Sequence, residues 1–153
     1  MAEAADSEAI AQAVGRLDEE EDSLARHLGI GLDAIGPGYA KVSATIKPEM
    51  TNHGNIGHGG AIFTVADTAF GYACNSKNAS SVAVNCPITY LAAVQVGEVL
   101  TAEAHEIVLE GRTGVCDITV TNHKEQVVAI FRGHSRRLRA AVIPDLPEGG
   151  EET

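Results

Sequence analysis

Apolar residues recur at Ile10, Val14, Leu17, Leu24 and Leu28 across Ser7–Ile30, the spacing of a face laid against a core, which predicts one or two short helices. Gly36-Pro37-Gly38 then reads as a turn. Beyond it the period falls to two, with Val42, Ala44 and Ile46 alternating against Lys41, Ser43 and Thr45, as in a half-buried strand. The next segment, "NHGNIGHGGAIFTVADTAFGYACNS", runs from a glycine-rich turn into a predicted helix from Gly59 or Gly60 to Asn75. That helix has Ile62, Phe63, Val65, Ala66, Ala69, Phe70, Ala73 and Cys74 to bury, so something must shield it on nearly all sides. "NSKN" stops it, since Asn and Ser compete for backbone hydrogen bonds. Four strand-like segments follow: "SSVAVNCPITYL", "EVLTAEAHEIVLEG", "RTGVCDITVTN" and "VVAIFRGHSRRLR", parted by turns at Gly97-Glu98, Gly111-Arg112 and 122–125. One strand, one apolar helix and four strands predict an α+β domain, an antiparallel sheet wrapped around a central helix.

Asp67 breaks the apolar pattern. Between Gly54 and Ser76 it is the one formally charged side chain, His58 aside. A carboxylate in a buried helix is costly unless it is paired or used, and no basic residue lies within a helical turn of it. At the other end of the helix, "GHGG" offers unsatisfied N–H groups and a positive dipole end, suited to a developing oxyanion. A Gly-Gly pair there serves equally well as a plain flexible turn. Gly59 and Asp67 lie eight residues apart, roughly 12 Å along one helix axis. One helix therefore does not bring both to a single small carbonyl. If both residues act, two antiparallel copies about a twofold axis bring Gly59 of one chain to Asp67 of the other.

Charge changes the picture at the ends. Residues 1–22 carry net −7, 141–153 carry −4, and the body between them +1. The acidic ends read as solubilising or loosely docked segments. This divides the chain into an acidic, partly helical extension (1–24), a near-neutral main domain (25–140) and an acidic flexible tail (141–153). A local excess of +4 over 112–139 suits either a phosphate-bearing ligand or a solvated strand face. It is too small and too poor in aromatics for nucleic acid. Cys74, Cys86 and Cys116 show no metal-binding spacing and read as buried reduced thiols of a cytoplasmic protein. Neither an apolar leader nor a run long enough to span a membrane is present in the sequence.

The segment quoted above, together with "RTGVCDITVTN" and "AIFRGHSRRL", resembles the hotdog-fold acyl-CoA thioesterases of the phenylacetate-degradation (PaaI) type over residues 25–139. Its most specific part is HGG followed by "ADTAFGYACNS". The resemblance implies a five-stranded antiparallel sheet around a long helix, dimers joined edge to edge, and tetramers built from pairs of dimers. It also implies hydrolysis of a CoA thioester without metal or cofactor, coenzyme A being part of the substrate, with phenylacetyl-CoA or its ring-hydroxylated forms as the acyl donors.

By the same resemblance Asp67 matches the catalytic carboxylate and Gly59 the backbone donor to the carbonyl. His58 and Asn52 match loop residues that shape the site, and Thr68 is a further contact. Gly60 and Phe63 fall to the substrate, and Arg112, Arg132, Gly133, Arg136 and Arg137 to the CoA end. Each has a plainer reading: His58 braces the turn, Asn52 is a turn residue, and Thr68 bonds its own helix. Where many relatives have Arg-Pro, this chain has Ala92-Ala93, so a basic CoA contact is lost there and the 132–139 segment is expected to compensate. Two other functions fit the same features: a hotdog hydratase or dehydratase using a His base, and a non-catalytic acyl-CoA-binding module.

Overall fold

The computed structural model describes residues 2–149, with side chains from residue 6 onward. Helix α1 (Ala2–Glu21) leads through Asp22 into a short α2 (Ser23–Leu28). Asp22 caps α2 by accepting the Ala25 N–H at 2.9 Å, and Gly29 closes it in the left-handed conformation at φ 71°. Ile10, Ala11 and Val14 of α1 are buried and Leu17 and Leu28 half-buried, whereas Leu24 of the predicted apolar face is exposed, and α1 is longer than expected.

Seven strands form a single antiparallel sheet in the order β1-β2-β5-β6-β7-β3, with β4 beside β7. The strands are β1 (Gly31–Gly36), β2 (Tyr39–Thr45), β3 (Ala79–Asn85), β4 (Ile88–Tyr90), β5 (Val99–Glu110), β6 (Thr113–Thr121) and β7 (Val127–Ala141). Two features raise the count above the expected five. First, β1 forms a hairpin with β2 across the predicted Pro37-Gly38 turn, where Gly38 takes φ 70°. A register shift between Leu32 and Ala34 breaks the alternation of β1, which is why no strand is legible there. Second, the segment after the helix is cut in two at Cys86-Pro87, since Pro87 has no N–H for the ladder.

Helix α3 (Gly59–Asn75) lies in the hollow of this sheet and touches β2, β3, β5, β6 and β7. That enclosure accounts for its all-round apolar sequence: Ile62, Val65, Ala66, Ala69, Phe70 and Ala73 join Val42, Leu100, Ile118, Val120 and Phe131 in one core. Cys74 and Cys116 are buried in the same layer with their sulfurs 3.7 Å apart, and the neighbouring Cys74 raises the Cys116 thiol above its ordinary range. Cys86 is only half-buried. After α3 the chain turns at Asn78 (φ 62°), whose buried amide donates to the carbonyls of Ile143 and Leu146 and accepts the Ile143 N–H. Residues 142–149 are thereby held against the end of the helix.

Gly133 of β7 belongs to this packing. A Cβ there would collide with the ring of Phe70, which is itself wedged against Phe131. Gly133→Ala is expected to cost about 2 kcal/mol of stability, because the buried ring has nowhere to move. The urea midpoint of the purified variant checks this.

Candidate active site

His58 sets the start of α3. Its backbone is extended (φ −62°, ψ 133°), and its Nδ1 accepts the Gly60 N–H at 2.8 Å. The Ala61 and Ile62 N–H groups both turn back to the His58 carbonyl. The Gly59 N–H has no acceptor among the described residues and is left at the positive end of a long helix. Tyr90, not among the sequence candidates, donates its hydroxyl to the Gly59 carbonyl at 2.8 Å and pins the turn from β4. Asn52 folds the preceding loop by accepting the Gly54 N–H at 2.9 Å, and Asn55 follows in the left-handed conformation at φ 59°. Asn52, Ile56, Gly59, Ile62, Tyr90 and the Ala92-Ala93 pair line a cleft of about 360 Å³.

Asp67 opens elsewhere. It lines a separate cleft of about 350 Å³ with Thr64, Thr68, Gly71, Tyr72 and Asn75 of α3, walled on the other side by Asp18, Glu21, Asp22 and Leu24. No salt bridge reaches Asp67 among the described residues. Burial pushes its carboxyl above the usual range, and the charge of Asp22 adds to the shift. Asp22 also lies 3.5 Å from the Tyr72 hydroxyl, and Asp18 is raised to about 7, chiefly by burial. Thr68 donates its hydroxyl to the Thr64 carbonyl of its own helix at 2.7 Å, the plainer of its two readings. The two halves of the candidate chemistry, a free N–H and a perturbed carboxylate, thus sit in different clefts of one chain.

The other sequence candidates divide. Gly60 spends its N–H on His58 and has none left for a ligand. Gly133, read as a CoA contact, stands in the core and makes room for Phe70, whereas Phe63 is half-buried and packs edge-on against Phe131 with ring centres 5.2 Å apart. Arg132 is held in a two-pronged ion pair by Asp117 at 2.6 and 2.9 Å, across the β6–β7 register. Arg112, Arg136 and Arg137 do come together, at the β5–β6 turn. Arg112 Nε donates to the Arg137 carbonyl, and Arg136 pairs with Thr113. No carboxylate pairs with these three among the described residues. The acids of α1, read as solubilising, are the residues that sequence reasoning missed. Their closeness to Asp67 is a contact across more than forty positions, with no local signal.

A curled antiparallel sheet around one long helix, with a carboxylate at mid-helix and a free N–H at its start, has the architecture of the hotdog fold. Residues 54–129 match the thioesterase superfamily. The acyl-coenzyme A thioesterase PaaI of Escherichia coli (strain K12) is 40% identical over 123 residues, 80% of this chain and 88% of that one. The solved E. coli PaaI protein of the phenylacetic acid degradation operon superposes with a TM-score of 0.86 at 37% identity, covering 88% of this chain and 97% of that one. A solved protein of Thermus thermophilus superposes at 0.75 with 30% identity, over 77% and 99% of the two chains. The chain belongs to the thioesterase superfamily, among its PaaI-type acyl-CoA thioesterases, a family of thioester hydrolases.

Proposed function

We propose that this chain hydrolyses the CoA thioesters of arylacetic acids, phenylacetyl-CoA or its ring-hydroxylated forms, at a site completed by a second copy of itself. The observation that carries the reading is the division of labour along α3: an undonated Gly59 N–H in one cleft and an unpaired, proton-avid Asp67 in another. Two copies of α3 packed antiparallel about a twofold axis bring each Gly59 to the partner subunit's Asp67. The dimer uses the open edge of β3, which carries exposed Val82 and Val84, and such dimers pair into tetramers.

The acyl group enters the Asp67 cleft, and the Gly59 N–H draws charge onto the thioester oxygen. Asp67 then removes a proton from water, or attacks the carbonyl itself to form an anhydride that water cleaves. Either route ends in the free acid and CoA thiol, with water as the only other reactant and no metal or cofactor required. Arg112, Arg136 and Arg137 are the basic groups left free for the CoA phosphates. His58 is not a base in this scheme, because its Nδ1 lone pair is occupied by the Gly60 N–H. This favours hydrolysis over a His-driven hydratase, and release of free thiol from phenylacetyl-CoA separates hydrolysis from binding alone.

Mixed dimers test the sharing. Gly59→Pro removes the N–H at the first helical position, and His58 already has the extended conformation that a following proline demands. The added Cβ comes within 3.2 Å of the Tyr90 ring, so circular dichroism of the refolded homodimer is the control. Gly59→Pro and Asp67→Asn are each expected to be inactive as homodimers. Unfolded and refolded together in equal amounts, they are expected to recover about a quarter of wild-type activity, since half the dimers then hold one intact site of two. No recovery in dimers shown to be mixed refutes a shared site.

A further inference from the structure

The acyl end of the site, as read above, is walled by carboxyl groups. Asp18 and Glu21 of α1 and Asp22, which joins α1 to α2, line the cleft that holds Asp67, and no basic side chain lines it among the described residues. None of the three is neutralised by an ion pair among the described residues. Asp22 is fixed by the Ala25 N–H on one oxygen and faces the Tyr72 hydroxyl with the other. Asp18 Oδ2 is buried with no hydrogen-bond partner. A hydrolase needs Asp67 alone for its chemistry, so the other three carboxylates are surplus to the reaction and bear on what enters.

We infer that the carboxylates of α1 select the acyl group by charge, so that the cleft accepts neutral acyl chains, favours those ending in a protonated amine and rejects those ending in a carboxylate. The inference rests on the acyl group occupying the Asp67 cleft. Like charges within several ångströms in a part-buried cleft repel strongly enough to cost about 10²-fold in affinity, whereas an ammonium group gains about tenfold.

The test uses a ladder of non-hydrolysable CoA thioethers on the wild-type protein: S-(2-phenylethyl)-CoA and its para-carboxylate and para-aminomethyl forms. Kd is read by calorimetry and compared with kcat/KM for the matching phenylacetyl thioesters. The expected order of affinity is aminomethyl, then unsubstituted, then carboxylate. Raising salt is expected to compress the ladder, as a purely steric preference would not. The exposed Glu21→Gln and the double variant Asp18→Asn/Glu21→Gln are expected to narrow the carboxylate-to-amine gap stepwise, the double variant by about tenfold. A flat ladder, or one that neither variant moves, overturns the inference even if all three thioesters are hydrolysed. An ordered ladder without hydrolysis of any thioester upholds charge selection and removes the proposed activity instead.

Discussion

Asp67→Asn is expected to fold and self-associate like the wild type while losing at least about 10²-fold in kcat, the scale of a lost general base or nucleophile. The substitution is nearly isosteric, and the carboxylate it replaces holds no salt bridge in the described chain, so little structure depends on the charge. Thiol release from phenylacetyl-CoA, with circular dichroism and sedimentation as controls, reads the result. Near-normal turnover by a folded Asn variant would remove Asp67 from the chemistry.

The wild-type pH profile gives a second reading of the same group. In the proposed reaction Asp67 acts in its ionised form, and its pKa is raised by burial and then by Asp22. Activity therefore falls as pH drops through a value above the ordinary aspartate range. Asp22→Asn moves that limb toward lower pH by removing the repelling charge. Incorporation of labelled water oxygen into Asp67 during a single turnover would assign it as nucleophile.

Helix α3 was legible because its signals are local: a cappable turn, an apolar run and one stray carboxylate, all within one short segment. The separation of Gly59 from Asp67 was legible as well, since a helix fixes the distance between them. What sequence could not supply was the outcome of long-range pairing. Whether Arg132 is free depends on the β6–β7 register, which sets Asp117 opposite it. Whether Gly133 faces a ligand or a ring depends on where α3 puts Phe70. The same holds for Asp18 and Asp22, which lie in the most acidic segment of the chain and look solvated until the helix is docked. Each miss concerns a partner distant in sequence, and no pattern within a strand or helix encodes that partner.

Asp18→Asn is expected to stabilise the folded chain, with a gain that grows as pH rises. The native state holds this carboxyl at about 7 against an ordinary 3.8, first through burial, partly offset by the Asn75 amide, and then through the charges of Asp22 and Glu21. The folded form therefore binds the proton more tightly than the unfolded form. By linkage, ionisation costs nothing below the unfolded value. The cost accumulates as pH climbs from 3.8 toward 7 and is complete above it. At face value a shift of roughly three units is worth about 4 kcal/mol, and partial solvent access at the cleft reduces this to about 2 kcal/mol. Urea unfolding is thus expected to show the Asn variant ahead by about 2 kcal/mol at pH 8 and by less than a third of that at pH 4. Equal gains at both values would mean that Asp18 is not held out of water. A carboxylate kept at such a cost in the wall of the Asp67 cleft, with one buried oxygen unpartnered, opposes stability in the way a site residue does. The variant that gains stability is also expected to lose part of its preference among acyl chains.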